Sequence, residues 1–153
     1  MPGLKNVIKV KLEANLFNRP QLVKPLLAFL NNTKDEKAYK LMKDSMDAVV
    51  ANTKQAAVNA GGSKARLLCT LPDGTVFYDS GSKIENSYAN FKAKAINENH
   101  QSRSAILKAI LSEDGLGWEA KFSTSTNSYE EYVAVRLGMS QHDAMGVVRL
   151  SFK

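Results

Sequence analysis

The sequence predicts an α+β fold, an antiparallel sheet of about five strands with a long N-terminal helix packed on one side. Three observations lead there. Before Gly61-Gly62 the apolar residues recur at the three- and four-residue spacing of helices. After it, short runs rich in β-branched and aromatic residues are punctuated by glycine and proline. The first two of these runs are joined by Pro72-Asp73-Gly74, a turn too short for the crossover a parallel pair requires. With 153 residues the chain is expected to form one domain over 1–153, with a helical part at 1–62 and a sheet part at 66–153.

Val7, Ile8, Val10 and Leu12 alternate imperfectly with lysines, so 5–12 reads either as a short strand or as a helix lead-in. Asn18-Arg19-Pro20 combines a capping side chain with a proline suited to a first turn, and predicts a helix to about Leu30, stopped by Asn31-Asn32. Thr33-Lys34-Asp35-Glu36 has the form of a capping box, with the Thr33 oxygen accepting a free N–H and Glu36 reaching back. Tyr39, Met42, Met46, Val49, Thr53, Ala56 and Ala60 then mark one face of a helix roughly 40 Å long, which must lie along something extended. Lys37, Lys40 and Lys43 are expected on its solvent side.

Strands are predicted at 66–71 and 75–79, polar loop at 80–87, and short helices at 88–96 and 102–111. Three further strands follow at 118–123, 131–137 and 146–152. The closing meander argues for helices on one face of the sheet.

Composition narrows the function classes. Hydrophobic residues make up 44% of the chain and charged residues 24%, which excludes a disordered chain. The longest unbroken apolar run, 26–30, is five residues, against the ~20 of a membrane helix. Lys5, Asn6, Lys9, Lys11 and Glu13 interrupt what would be the core of a signal peptide. One cysteine, Cys69, excludes an internal disulfide framework and a cysteine zinc cluster. These features predict a complete chain kept in a reducing compartment.

The net charge of +6 is one-sided. Residues 1–66 hold twelve Lys/Arg against five Asp/Glu, and 67–153 hold nine against ten. An acidic partner surface should meet the N-terminal half first, and Lys34, Lys37, Lys40 and Lys43 are its candidate partner-binding residues. The same lysines also suit the plain solvated face of a helix. No zinc-finger, RNP or glycine-rich phosphate motif accompanies the charge, so nucleic acid is not the expected partner.

Four segments carry a family likeness. They are Pro72-Asp73-Gly74-Thr75-Val76-Phe77-Tyr78-Asp79-Ser80, Asn97-Glu98-Asn99-His100-Gln101-Ser102-Arg103, Tyr132-Val133-Ala134-Val135-Arg136-Leu137 and Gly146-Val147-Val148-Arg149-Leu150-Ser151. In order and spacing these resemble the single Cache domain, the PAS-like sensor module of histidine kinases and chemoreceptors. The resemblance covers 66–153, with the helix 34–60 in the place of that family's leading helix. A Cache sensor is normally exported, membrane-tethered and followed by a signalling domain, and none of that context is visible here. Free-standing proteins of this pattern resemble minor capsid components of nucleocytoplasmic large DNA viruses, chiefly through the segment 96–103. The resemblance implies a virion or host-cytoplasm location and other capsid proteins as partners.

If the sensor's pocket is kept, the resemblance puts the ligand near Tyr78, His100, Arg103 and Tyr132, with Arg103 pairing a carboxylate in bidentate fashion. The competing reading is that Asn99 or Ser102 caps a helix while Arg103 makes a structural contact. Tyr78, Tyr132 and Trp118 could line a pocket, although aromatics on a sheet face usually pack as core. Ser140, His142 and Asp143 are triad residue types, but near-contiguous residues in a loop do not supply triad geometry. His100 and His142 are 42 positions apart, with no metal-ligand spacing. The expectation is a non-enzymatic structural protein without catalytic residues, metal or cofactor. The alternative is a small-molecule-binding sensor module.

Overall fold

The computed structural model describes residues 20–59, 65–96, 103–124 and 127–152. Its helices are α1 (Pro20–Asn31), α2 (Glu36–Asn59), α3 (Tyr88–Lys92) and α4 (Arg103–Leu111). Its strands are β1 (Ala65–Thr70), β2 (Val76–Asp79), β3 (Leu116–Ser123), β4 (Ser128–Leu137) and β5 (Gly146–Phe152). The strands form one antiparallel sheet in the order β2-β1-β5-β4-β3. The fold is therefore α+β. The readings made at 5–12, Asn18 and Gly61-Gly62 lie outside the described residues.

Pro20 opens α1, where a missing N–H costs nothing, and Leu26 and Phe29 are its buried residues. The cap of α2 is Asp35 rather than the expected Thr33. Asp35 Oδ1 accepts from the backbone N–H of Lys37 at 3.0 Å and of Ala38 at 3.3 Å. The carboxylate directly before the helix reaches both free amides and places a negative charge at the positive end of the helix dipole. Tyr39, Met42, Met46 and Val49 form the buried stripe of α2.

Side chains of one strand alternate between the two faces of a sheet, and cross-strand partners share a face. One face carries Leu67 and Cys69 of β1, Val148 and Leu150 of β5, and Val133 of β4, and these pack with α1 and α2 in the main core. Phe29, Tyr39, Phe77 and Phe91 meet there, with Phe29 centroids 5.3–5.4 Å from the other three rings. The Tyr39 hydroxyl donates to the Phe77 carbonyl at 2.8 Å. A register shift between Cys69 and Thr70 leaves Phe77 as the extra residue of β2, so the successive residues Phe77 and Tyr78 are both buried against the helices. The β1–β2 turn uses Gly74 at φ +93°, a conformation that favours glycine, and the Gly74 N–H donates to the Leu71 carbonyl at 2.9 Å.

The opposite face is also covered, which corrects the expectation of helices on one face only. There α4 packs Ala105 and Ala109 against Tyr132, Ala134 and Val147. The small residues allow close approach: a Cβ on Gly117 of β3 would lie 2.0 Å from the Ala105 carbonyl oxygen. Arg136 locks the end of α4. Its Nη1 donates to the carbonyls of Ile110 at 3.0 Å and Ser112 at 2.6 Å, while Nη2 donates to Met139 at 3.0 Å. A guanidinium at a helix C-terminus satisfies carbonyls that have no helical partner and opposes the negative end of the dipole.

Candidate functional site

Two regions could carry function: the exposed side of α2 with the turn before it, and the polar part of the sheet face that α4 leaves uncovered. On the first, Lys34, Lys37 and Lys40 are exposed and form no ion pair among the described residues. Lys43 behaves differently. It is half-buried and its Nζ lies 2.9 Å from Asp47 Oδ2, while Asp47 Oδ1 accepts from the Tyr78 hydroxyl at 2.6 Å. The hydrogen bond to Asp47 holds the Lys43 ammonium above its ordinary pKa. This chain of contacts ties α2 to β2, so Lys43 is a structural cation. Directly after the free lysines comes Leu41, 61% exposed, an apolar side chain that periodicity alone did not single out.

The residues of the expected ligand pocket are dispersed. Tyr78 lies on the helix-packed face with Cys69 and Val148, and burial followed by the Asp47 hydrogen bond raises its phenol pKa. Tyr132 lies on the other face, where its hydroxyl donates to Glu130 Oε2. One row of β4 separates Tyr132 from Val133, and that step points the two tyrosines to opposite sides of the sheet. His100 lies outside the described residues, as does the side chain of Arg103, whose backbone opens α4.

The second region was not found from the sequence. Arg66 Nε donates to Asp79 Oδ1 at 2.8 Å and its Nη2 to Oδ2, a fork on a fully buried carboxylate. Asp79 Oδ1 also accepts from the Gly81 N–H at 2.9 Å, and Asn86 exchanges hydrogen bonds with the Asp79 backbone. Beside this pair the Arg149 guanidinium carbon stands 5.2 Å from the Tyr132 ring centroid. Desolvation lowers the Arg149 pKa, with Tyr132 opposing and Arg66 adding to the shift. The available signal was an arginine inside each of two apolar strand runs, at 66 and 149. The arrangement fastens the short edge strand β2 and the loop 80–87 to β1.

The remaining chemistry resolves into structure. Ser140 and Asp143 cap the short 3₁₀ turn Gln141–Asp143: Ser140 Oγ donates to Asp143 Oδ1 at 3.0 Å and accepts from the His142 N–H at 3.3 Å. The contacts are those of a cap and not of a nucleophile and base. Cys69 is fully buried with Sγ 3.9 Å from Met46 Sδ, and burial pushes its thiol pKa up. Among the described residues no group of three or more His, Cys, Asp or Glu could hold a metal, and no helix is long and apolar enough to cross a membrane. No protein-family model matches this chain, and no curated protein matches it.

Proposed function

We propose that this chain is a non-catalytic structural and interaction module that docks to neighbouring protein subunits through the basic face at the start of α2. The observation that carries the reading is the exposed group Lys34, Lys37 and Lys40, cations unpaired among the described residues, with the exposed apolar side chain of Leu41 directly after Lys40. Such a surface suits an acidic partner: charge steers the encounter and the neighbouring apolar side chain supplies buried area.

The finer identity is a Cache-like, PAS-like fold serving as a minor capsid component of a large DNA virus, in the virion or the host cytoplasm. Its support is the five-stranded antiparallel sheet of the kind that family implies, together with the resemblance of 96–103. The sensor alternative gains less support, because Tyr78 and Tyr132 face opposite ways and each hydroxyl already has an acceptor.

The test is the triple reversal Lys34→Glu, Lys37→Glu and Lys40→Glu. Folding should survive, since exposed substitutions usually stay within about 0.5 kcal/mol each. Incorporation into particles should fall, and binding of the wild type to its neighbours should weaken as salt rises. Normal incorporation of the triple variant, with a small molecule retained by the purified protein in native mass spectrometry, would overturn the docking reading in favour of the sensor.

A further inference from the structure

We propose that β3 is a self-complementary edge through which two copies of this chain pair, extending the sheet across a two-fold axis at Ala120. This rests on the sheet edge alone and is independent of the reading of α2.

β3 ends the sheet, and among the described residues only β4 pairs with it. The direction of its backbone groups follows from two contacts. The Gly115 carbonyl accepts from the Arg136 N–H at 2.7 Å, so it points toward β4. Backbone groups alternate sides along a strand, so those of Leu116, Trp118, Ala120 and Phe122 point to the open edge. Lys108 Nζ, approaching the Trp118 carbonyl at 3.5 Å from outside the sheet, agrees. An antiparallel pairing of two β3 strands must therefore hydrogen-bond even-numbered residues to even-numbered residues.

Centring that pairing on Ala120 makes the side chains complementary. Trp118 then faces Phe122 of the second copy on one face of the sheet. On the other face, Glu119 opposes Lys121 and Lys121 opposes Glu119. These charged positions fall at non-hydrogen-bonded pairs, where opposed Cα atoms are only about 4.5 Å apart. A lysine on an edge strand ordinarily discourages pairing; a glutamate two residues earlier converts it into a specific attraction to a second β3. Phe122 is 49% exposed and stacks edge-on with Tyr129, so an aromatic surface already stands at this edge.

The layer above leaves room for this pairing. α4 lies over β3 and β4, and its positions 104, 108 and 111 share the side toward the open edge, as Ser104 donating to Glu119 and Lys108 reaching Trp118 show. Ser104 in the first turn of α4 meets Glu119, while Ser112 just past its last turn donates to the Leu116 carbonyl at 2.9 Å, so α4 runs away from an axis at Ala120 and does not block the approach of a second β3.

Sedimentation equilibrium of the wild type and three variants tests this. The wild type should dimerise. Glu119→Lys alone and Lys121→Glu alone should each weaken dimerisation by about tenfold or more, because each sets like charges opposite each other twice. The double swap of both residues should restore it, and an equimolar mixture of the two single variants should form a mixed dimer. Ala120→Cys should cross-link to a second copy under mild oxidation, while the buried Cys69 does not. A wild type that is monomeric at roughly millimolar concentration, or a dimer indifferent to both charge changes, overturns the proposal. So does failure of Ala120→Cys to cross-link in a dimeric, folded protein.

Discussion

Gly117→Ala isolates the contact on which the layer containing α4 depends. The new Cβ would stand 2.0 Å from the Ala105 carbonyl oxygen and 2.8 Å from the Ala109 nitrogen, both backbone atoms of α4. Neither can rotate away, so the helix as a whole must withdraw by about 1.2 Å to reach an ordinary carbon–oxygen contact. Withdrawal loosens Ala105 and Ala109 from Tyr132, Ala134 and Val147 and lengthens the Ser104–Glu119 and Arg136–carbonyl hydrogen bonds. Overpacking of this kind costs about 3 kcal/mol, which lowers Tm by about 6–12 °C for a chain of this size. Effects on the unfolded chain run the other way, since replacing glycine by alanine restricts the unfolded ensemble and stabilises by about 0.4–1 kcal/mol where no clash occurs. The sign of the measured change therefore decides the matter. Urea unfolding followed by circular dichroism should show a lower midpoint with little change in slope. An unchanged or raised midpoint would refute the close crossing of α4 over β3.

Arg136→Met keeps most of the side-chain volume and removes the donors that close α4. A loss of about 2–4 kcal/mol is expected, with the fastest gain in hydrogen exchange at 109–115 and 138–145; a loss below about 0.5 kcal/mol would remove Arg136 from that role. Glu131 is buried on β4, its Oε2 has no hydrogen-bond partner among the described residues, and burial raises its pKa above the ordinary carboxylate value. The folded state therefore holds this proton to higher pH than the unfolded chain does. Stability should fall as pH rises from the unfolded value through the raised folded one. Glu131→Gln should abolish that part of the decline and leave the protein more stable at neutral pH, while matching the wild type below the unfolded pKa. Parallel pH-stability curves for the two proteins would contradict it.

Local chemistry made much of this fold legible. The β1–β2 turn, the α2 stripe from Tyr39 to Val49, and β5 all follow from rules that act within a few residues, and the structure has them where those rules put them. The face of each strand was harder to read. Tyr78 and Tyr132 both looked like inward aromatics, and only the register of β2-β1-β5-β4 shows that they point to opposite sides. Register depends on pairings between residues as distant as Ala65 and Phe152, and no local pattern encodes it. The second helical layer was missed for a related reason: the small residues Gly117, Ala134, Ala105 and Ala109 carry little hydrophobic signal, yet their size is what admits α4. At the start of α2 the box pattern pointed to Thr33, but Asp35 stands directly before the helix and its oxygen is the one that reaches two amides. Lys43 illustrates the limit of helical wheels: spacing places it beside Lys40, while Asp47 and Tyr78 draw it into the structure.

The two interaction surfaces bear on each other through symmetry. An antiparallel strand pair has its two-fold axis perpendicular to the sheet, so like faces of both copies look the same way. α2 packs on the face that carries Leu67, Val133 and Trp118, and α4 on the other. Pairing through β3 would then present two copies of Lys34, Lys37, Lys40 and Leu41 toward one side, while the α4 helix of each copy occupies the opposite side. Binding of such a dimer to a layer of acidic subunits is bivalent, and the second contact forms at the effective concentration set by a rigid spacer. A weak single contact, screened over about 8 Å at physiological salt, becomes sufficient when doubled in this way. The same geometry predicts how the variants combine. Glu119→Lys should weaken attachment to a multivalent surface while leaving attachment to a single isolated subunit unchanged, whereas reversal of the three lysines should weaken both. If Glu119→Lys weakens the single-subunit contact as strongly as the lysine reversal does, the two surfaces are not separate, and the edge of β3 belongs to the docking site itself.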